Sequence, residues 1–355
     1  MDQLSSRERF KRMFEHKEAD RVPIIGSPWF DTLERWRREG LPKDADFAEY
    51  FGIDRVAGIG GDNSPRFEEK TIEETDEYII RFDSWGTTCK NWKHATSTPH
   101  WINRTVKDRK SWQMAKERMI MTPDRIDWNF LKQHYPVWRK NHWWIQGYLW
   151  FGFDVTHARI VGTEPILIWM AEDPEFVIDI FRTQLDCSLQ ILDMIWDKGY
   201  TFDSVFWCDD MGYRNGTFFS VDMYREILKP LQKRAIEWAH NKGVVAHLHS
   251  CGNINDLVPE LIEIGLDALN PLQVKAGMDP VHLKKTYGDN LVLHGGLDAT
   301  LFGEIDRIEA EIKRLLPILK QNGGYIFQED HSIPDSVSFE NFKRIVALVK
   351  EFGAY

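Results

Sequence analysis

Beyond residue 200 the apolar positions fall into a regular rhythm. Short runs of β-branched and aromatic residues occur at 204–210 (SVFWCDD), 244–250 (VVAHLHS), 268–273 (ALNPLQ), 291–296 (LVLHGG) and 324–330 (GYIFQED). Between them lie longer stretches with apolar residues at helical spacing, at 221–241, 254–264, 280–287 and 304–320, and a last one follows at 338–351. Strands alternating with helices predict an α/β fold with a parallel sheet and helices outside it. Five consecutive units without a dinucleotide-binding glycine fingerprint favour a (β/α)8 TIM barrel over a doubly wound sheet. Earlier runs at 21–26 (RVPIIG), 55–60 (RVAGIG) and 143–152 (WWIQGYLWFG) bring the strand count to eight. The stretch 76–120 breaks the rhythm: EYIIRF alternates, and WGTTCKNWKHATSTPHW is polar and rich in Thr and Trp. It is expected to be a β-hairpin insertion with a helical connection, inside a single domain spanning 1–355.

Composition narrows the classes. The chain has 355 residues, 43% hydrophobic and 28% charged, which is ordinary material for a globular core. A net charge of −10 argues against a nucleic-acid backbone binder, which needs a basic face. No run approaches the roughly 18 apolar residues of a membrane span. The start, MDQLSSRERFKRMFEHKEADR, lacks the apolar run of a signal peptide. Four irregularly spaced cysteines, Cys89, Cys187, Cys208 and Cys251, read as free thiols in a reducing compartment, so a cytoplasmic location is expected. Fifteen tryptophans exceed what a core alone needs and could line a pocket for a flat ligand.

In such a barrel, functional groups sit at the C-terminal ends of the strands. Those ends carry Asp209 and Asp210, then His249, Ser250 and Cys251, then Asn270 and Gln273, then His294 and Asp298, then Gln328, Glu329, Asp330 and His331; the opposite ends carry nothing comparable. In HLHSCGN (247–253), His247, His249 and Cys251 share one strand face. Neutral histidine and cysteine thiolate are good zinc ligands. His247, deeper in the strand, reads as a core histidine. A third ligand must come from another strand end; His331 is the first candidate, with Glu329, Asp330 and His294 as alternatives. Three protein ligands and one open position is the usual pattern of a catalytic zinc. QEDHSIP can equally be a helix-entry loop capped by polar groups, which competes for Glu329 and Asp330. Asp209 and Asp210 are adjacent and point to opposite faces, so one is expected at the barrel mouth. The other is expected to cap the following helix or to pair with Arg214.

Three stretches together carry a resemblance: AHLHSCGNINDLVPELIEIGLDALNPLQ, LKKTYGDNLVLHGGLDA and GGYIFQEDHSIPDSVSFENF. They resemble the uroporphyrinogen decarboxylase superfamily closely over about 200–350, and RERFKRMFEHKEADRVPI is similar to its opening helix and first strand. The resemblance implies a single (β/α)8 barrel. True decarboxylases carry an RQAGRY-like loop after the first strand to hold porphyrin carboxylates; here that place reads SPWFDTLERWRREGLP. The H-x-C-G-N element, His249 to Asn253, instead resembles the zinc-binding element of the corrinoid-dependent methyltransferases. In those the third ligand is usually a cysteine near the last strand, where this chain has His331. The resemblance therefore implies a zinc held by His249, Cys251 and His331, with His249, Cys251 and Asp210 as catalytic residues. Trp29, Asp209, Asp210, Trp150 and Glu329 are expected to contact substrate, and Trp143, Trp144 and Trp207 add aromatic surface near strand ends. The implied reaction moves a methyl group from an aryl methyl ether to a corrinoid (cobalamin), an O-demethylation. A D-x-H-x-x-G corrinoid element is absent, so the corrinoid is expected on a small separate corrinoid-binding protein. Alternatives are transfer from a methylated corrinoid protein to a thiol or tetrahydrofolate, a decarboxylase, a zinc hydrolase with Asp210 or Glu329 as base, and a metal-free binding barrel.

Overall fold

The computed structural model describes residues 3–94 and 97–355. The strands in chain order are β1 (Val56–Ile59), β2 (Lys70–Glu74), β3 (Tyr78–Phe82), β4 (Thr87–Trp92), β5 (His100–Arg104), β6 (Trp144–Tyr148), β7 (Ser204–Cys208), β8 (Gly212–Tyr213), β9 (Gly216–Thr217), β10 (Val245–His249), β11 (Ala268–Asn270), β12 (Val292–His294) and β13 (Tyr325–Ile326). Seven of them form one curled parallel sheet in the order β1-β6-β7-β10-β11-β12-β13. Helices surround it, and the fold is the expected TIM-barrel type.

The eighth strand expected at 21–26 is not a regular ladder. Pro23 has no N–H to give a neighbour, which breaks the pairing on that side. The segment still fills the gap between the sheet edges. Ile25 N–H donates to the Phe327 carbonyl at 3.0 Å, Phe327 N–H to Pro23 at 2.9 Å, and Asp54 N–H to Ile24 at 2.9 Å.

Helices Pro280–Tyr287, Ile305–Leu319 and Phe339–Phe352 stand where the spacing places them. The 221–241 stretch holds a π-helical turn, Tyr224–Leu228, before the helix Lys229–Asn241. Pro230 cannot donate to the preceding turn, so the backbone hydrogen bonds re-register there. The N-terminal insertion is present and larger than a hairpin: β2–β5 form a four-stranded antiparallel sheet, followed by the helix Arg109–Lys116. Every residue of β2 is exposed, so it carries no alternation for a sequence reading to detect. Residues 95–96 of the expected insertion lie outside the described residues. Among the described residues, no helix is long and apolar enough to cross a membrane.

The two-residue period of the strands sorts core from site. Val205, Trp207, Ala246 and Leu248 are fully buried in the main apolar core. The alternate residues face one another across the barrel interior. Ring centroids lie 5.0 Å apart for Phe206 and His247, 5.1 Å for His247 and His294, and 6.4 Å for Phe206 and His249.

Candidate active site

A cavity of about 510 Å³ opens at the C-terminal ends of the strands. β7 delivers Asp210 to it, β10 delivers His249 and Cys251, and β6 and β7 line it with Tyr148 and Phe206. One ligand atom from each of Asp210, His249 and Cys251 lies within 4.8 Å of the other two. His249 Nε2 is 3.3 Å from Cys251 Sγ and 3.6 Å from an Asp210 oxygen.

Local hydrogen bonds fix this arrangement. His249 Nδ1–H donates to Asn270 Oδ1, and the Asn270 amide donates in turn to the His294 carbonyl at 3.2 Å. That tautomer leaves the Nε2 lone pair facing Asp210 and Cys251, which is what a metal-binding imidazole needs. Cys251 N–H donates to Asp210 Oδ1 at 2.7 Å, tying the carboxylate to the loop that carries the thiol. The loop is pressed onto the β8–β9 hairpin: Asn253 N–H donates to Tyr213 at 2.8 Å. At Gly252 φ is +84°, and a Cβ there would stand 2.1 Å from the Gly212 carbonyl carbon. Only glycine fits, which accounts for the glycine in SCGN. Burial, and after it the charge of Asp210, push the Cys251 thiol up from its ordinary pKa. A metal binding there would displace the thiol proton. One nitrogen, one sulfur and one oxygen donor, partly open to the cavity, suit zinc.

The other expected site residues separate. His331 lines the cavity at its rim, exposed, with its ring 6.1 Å from Trp29, and does not join the cluster. β13 stops at Ile326, so strand parity no longer aims residue 331. Asp330 behaves as the capping alternative requires: it accepts from Val274 N–H at 3.0 Å and Ala299 N–H at 2.9 Å. Glu329 lines the cavity and accepts from Ser27 N–H. Asp209 does not reach the cavity. It is fully buried, accepts from Asp154 N–H at 3.0 Å and the Gln232 amide at 2.9 Å, and is pushed up to about 8 by that burial. It neither caps the following helix nor pairs with Arg214, because the turn after β7 points it toward the helix Lys229–Asn241 instead.

Of the tryptophans named from the sequence, Trp29 is the one that lines this cavity. Trp150 lines a separate recess with Trp85 and Arg159. Trp207 is buried, Trp144 stacks between Phe10 and Phe14, and Trp143 lies under Arg55. Trp143 and Trp144 sit at the start of β6, far from its functional end. The aromatic walls are Tyr148 and Phe206, which sequence reasoning missed. Their signal was available: both share the inward parity of their strands with the polar site residues.

His294, an alternative third ligand, lies deeper, with Nδ1 3.2 Å from His247 Nε2; burial holds it down to about 3. His247 is fully buried, as a core histidine. The opposite barrel end is less bare than expected, with a recess of about 640 Å³. Its Arg7 and Arg139 are both paired with Asp203, at 2.8 and 3.0 Å.

The model of the uroporphyrinogen decarboxylase (URO-D) family matches residues 156–352, more than half of the chain. The chain belongs to this family. Curated relatives include uroporphyrinogen decarboxylases of Pelodictyon phaeoclathratiforme, 30% identical over 38% of this chain and 39% of that one, and of Helicobacter pylori strain P12, 32% identical over 37% and 35%. The methylcobamide:CoM methyltransferase MtaA of Methanosarcina barkeri is 30% identical over 38% of each. The chain thus aligns with about two fifths of each relative's length. A methyltransferase structure from Methanosarcina mazei superposes with a TM-score of 0.68 at 16% identity, covering 99% of this chain and all of that one, which shows a shared fold.

Proposed function

We propose that this URO-D family member is a zinc-dependent methyltransferase. In this reading it moves the methyl group of an aryl methyl ether to the corrinoid of a small separate protein and releases the phenol. The observation that carries the proposal is the Asp210–His249–Cys251 cluster, with His249 Nε2 freed by Asn270, beside the faces of Tyr148 and Phe206.

Asp210, His249 and Cys251 would hold the zinc. When bound, the ion supplies a Lewis acid for the oxygen that loses its methyl group. Asn270 holds the imidazole in the binding tautomer, and the Cys251 N–H keeps the Asp210 carboxylate turned toward the thiol. Tyr148, Phe206 and Trp29 offer flat apolar surface that positions a ring and excludes water. A phenolate leaves more readily than an alkoxide because a phenol has a pKa of about 10. The corrinoid would approach from the open mouth of the barrel.

The decarboxylase alternative needs cations for the substrate carboxylates. Among the described residues no lysine or arginine lines the cavity. Arg35 and Arg37, on the helix Phe30–Glu39, are paired with Glu39 and Glu34. A second reading, transfer from a methylated corrinoid protein to a thiol, is favoured by the likeness to the methylcobamide:CoM methyltransferase of Methanosarcina barkeri.

The test is to incubate the zinc-loaded protein with cob(I)alamin and a panel of methoxylated aromatics. Formation of methylcobalamin together with free phenol is expected. Cys251→Ala should lower the rate by about 100-fold or more while leaving ring binding nearly intact, because the zinc acts mainly in the transition state. If methylcobalamin is instead consumed by a thiol or tetrahydrofolate and no ether reacts, the second reading replaces the first.

A further inference from the structure

The cavity has a second polar place, apart from the zinc-type cluster. His294 is 4% exposed and Glu329 is 1% exposed, and both line the cavity. His294 Nε2 and Glu329 Oε2 have no hydrogen-bond partner among the described residues. Their other polar atoms are engaged: His294 Nδ1 with His247 Nε2 at 3.2 Å, and Glu329 Oε1 with Ser27 N–H. The Gln328 side chain stands beside both residues without satisfying the two free atoms. A buried polar atom left unpaired costs about 1–3 kcal/mol. Two of them on the wall of one cavity mark a place for a polar group from outside.

The neighbouring groups define that polar group. His247 Nδ1 is also unpartnered, and His247 does not line the cavity. A bare acceptor nitrogen is less costly to bury than an N–H. His247 therefore donates from Nε2 to His294 Nδ1, which leaves His294 Nε2–H as an unpartnered donor on a residue that lines the cavity. The incoming group must accept from this N–H and satisfy a carboxyl oxygen as well. A hydroxyl does both, whichever protonation state Glu329 holds. An anion fits badly. Asp210, Glu329 and Asp330 line the cavity, and among the described residues no lysine or arginine does. A carboxylate buried there would have no lysine or arginine to pair with, and would face the Glu329 carboxylate.

We infer that His294 and Glu329 form a specificity subsite for an uncharged hydroxyl on the substrate ring, so that the chain selects methoxyphenols over methoxylated aromatic acids. This rests on the aryl ether reading above. A phenol is neutral at pH 7, whereas an aromatic acid is ionised.

The experiment is calorimetric titration of the purified full-length protein, without corrinoid, against isomeric methoxyphenols, methoxybenzene and isomeric methoxybenzoates. The best methoxyphenol is expected to bind about tenfold or more tighter than methoxybenzene, the effect of about 1.4 kcal/mol. The benzoates should bind more weakly than either. Glu329→Gln should keep the preference for the hydroxyl, and Glu329→Leu and His294→Leu should reduce it to near unity. Benzoates binding as tightly as phenols, no binding by any methoxyphenol, or an unchanged preference in both leucine variants would overturn the inference. The wild-type panel decides on its own if a leucine variant fails to fold. Hydroxyl-selective binding without methyl transfer would contradict the demethylase reading and leave the subsite standing; transfer from benzoates alone would do the reverse.

Discussion

At the scale of single residues, the site depends on groups that hold other groups. Asn270 is not itself a proposed metal ligand, yet its Oδ1 sets the His249 tautomer. Asn270→Ala should weaken zinc affinity by about 10- to 100-fold, the usual effect of losing an imidazole's partner, as measured by competition with a chromophoric chelator. Unchanged affinity would show that the tautomer is set elsewhere. His294 gives a pH signature. Burial holds it down to about 3, against an ordinary value of about 6.5. Between these values the unfolded chain binds a proton that the folded chain does not. Its contribution to stability is therefore complete above about 6.5 and is lost as the pH falls toward about 3. Metal-free His294→Gln should lose less thermal stability than wild type between neutral and acid pH; parallel curves would remove His294 from the account. The sequence made the His249–Cys251 pair legible because strand parity and strand-end position constrain it. It misplaced Asp209 and Trp150 because a residue just past a strand end obeys the turn, not the parity.

At the scale of elements, the β8–β9 hairpin and the loop 251–253 form one clamp. Gly252 lies where a Cβ would meet the Gly212 backbone, with φ at +84°. Alanine at this φ costs roughly 1–2 kcal/mol in backbone energy alone, and the hairpin must also move. Gly252→Ala should keep the far-ultraviolet dichroism of the barrel and lose most of the zinc affinity, because Cys251 shifts away from Asp210 and His249. Full zinc affinity in this variant would mean the clamp does not position the thiol. The hairpin itself could not be read from sequence, since two-residue strands carry no period. The strands β7, β10 and β12 could, because apolar residues bounded by turns mark them on both sides. Segment 21–26 was legible as a strand by composition but not by pairing, since Pro23 removes a donor from the ladder.

At the scale of the whole molecule, the barrel gathers at one rim what the sequence spreads over three hundred positions. Residues 29, 148, 206, 210, 249, 251, 294 and 329 line one cavity. The architecture and the functional end of the barrel were legible because repeated strand–helix units leave few alternatives. The third member of the cluster was not. Asp210 and His331 both sit at strand ends, and only the packed geometry brings Asp210 to the His249–Cys251 pair while His331 stays at the rim against Trp29. The central claim is that Asp210, His249 and Cys251 together hold a zinc ion. X-ray absorption at the zinc edge of the loaded protein tests it most directly. The account expects one sulfur among the ligands, with the others nitrogen or oxygen, the sulfur lost in Cys251→Ala, and the spectrum altered by Asp210→Ala but not by His331→Ala. A protein that binds no zinc, a zinc without sulfur, or a spectrum changed by His331→Ala and indifferent to Asp210→Ala would contradict it.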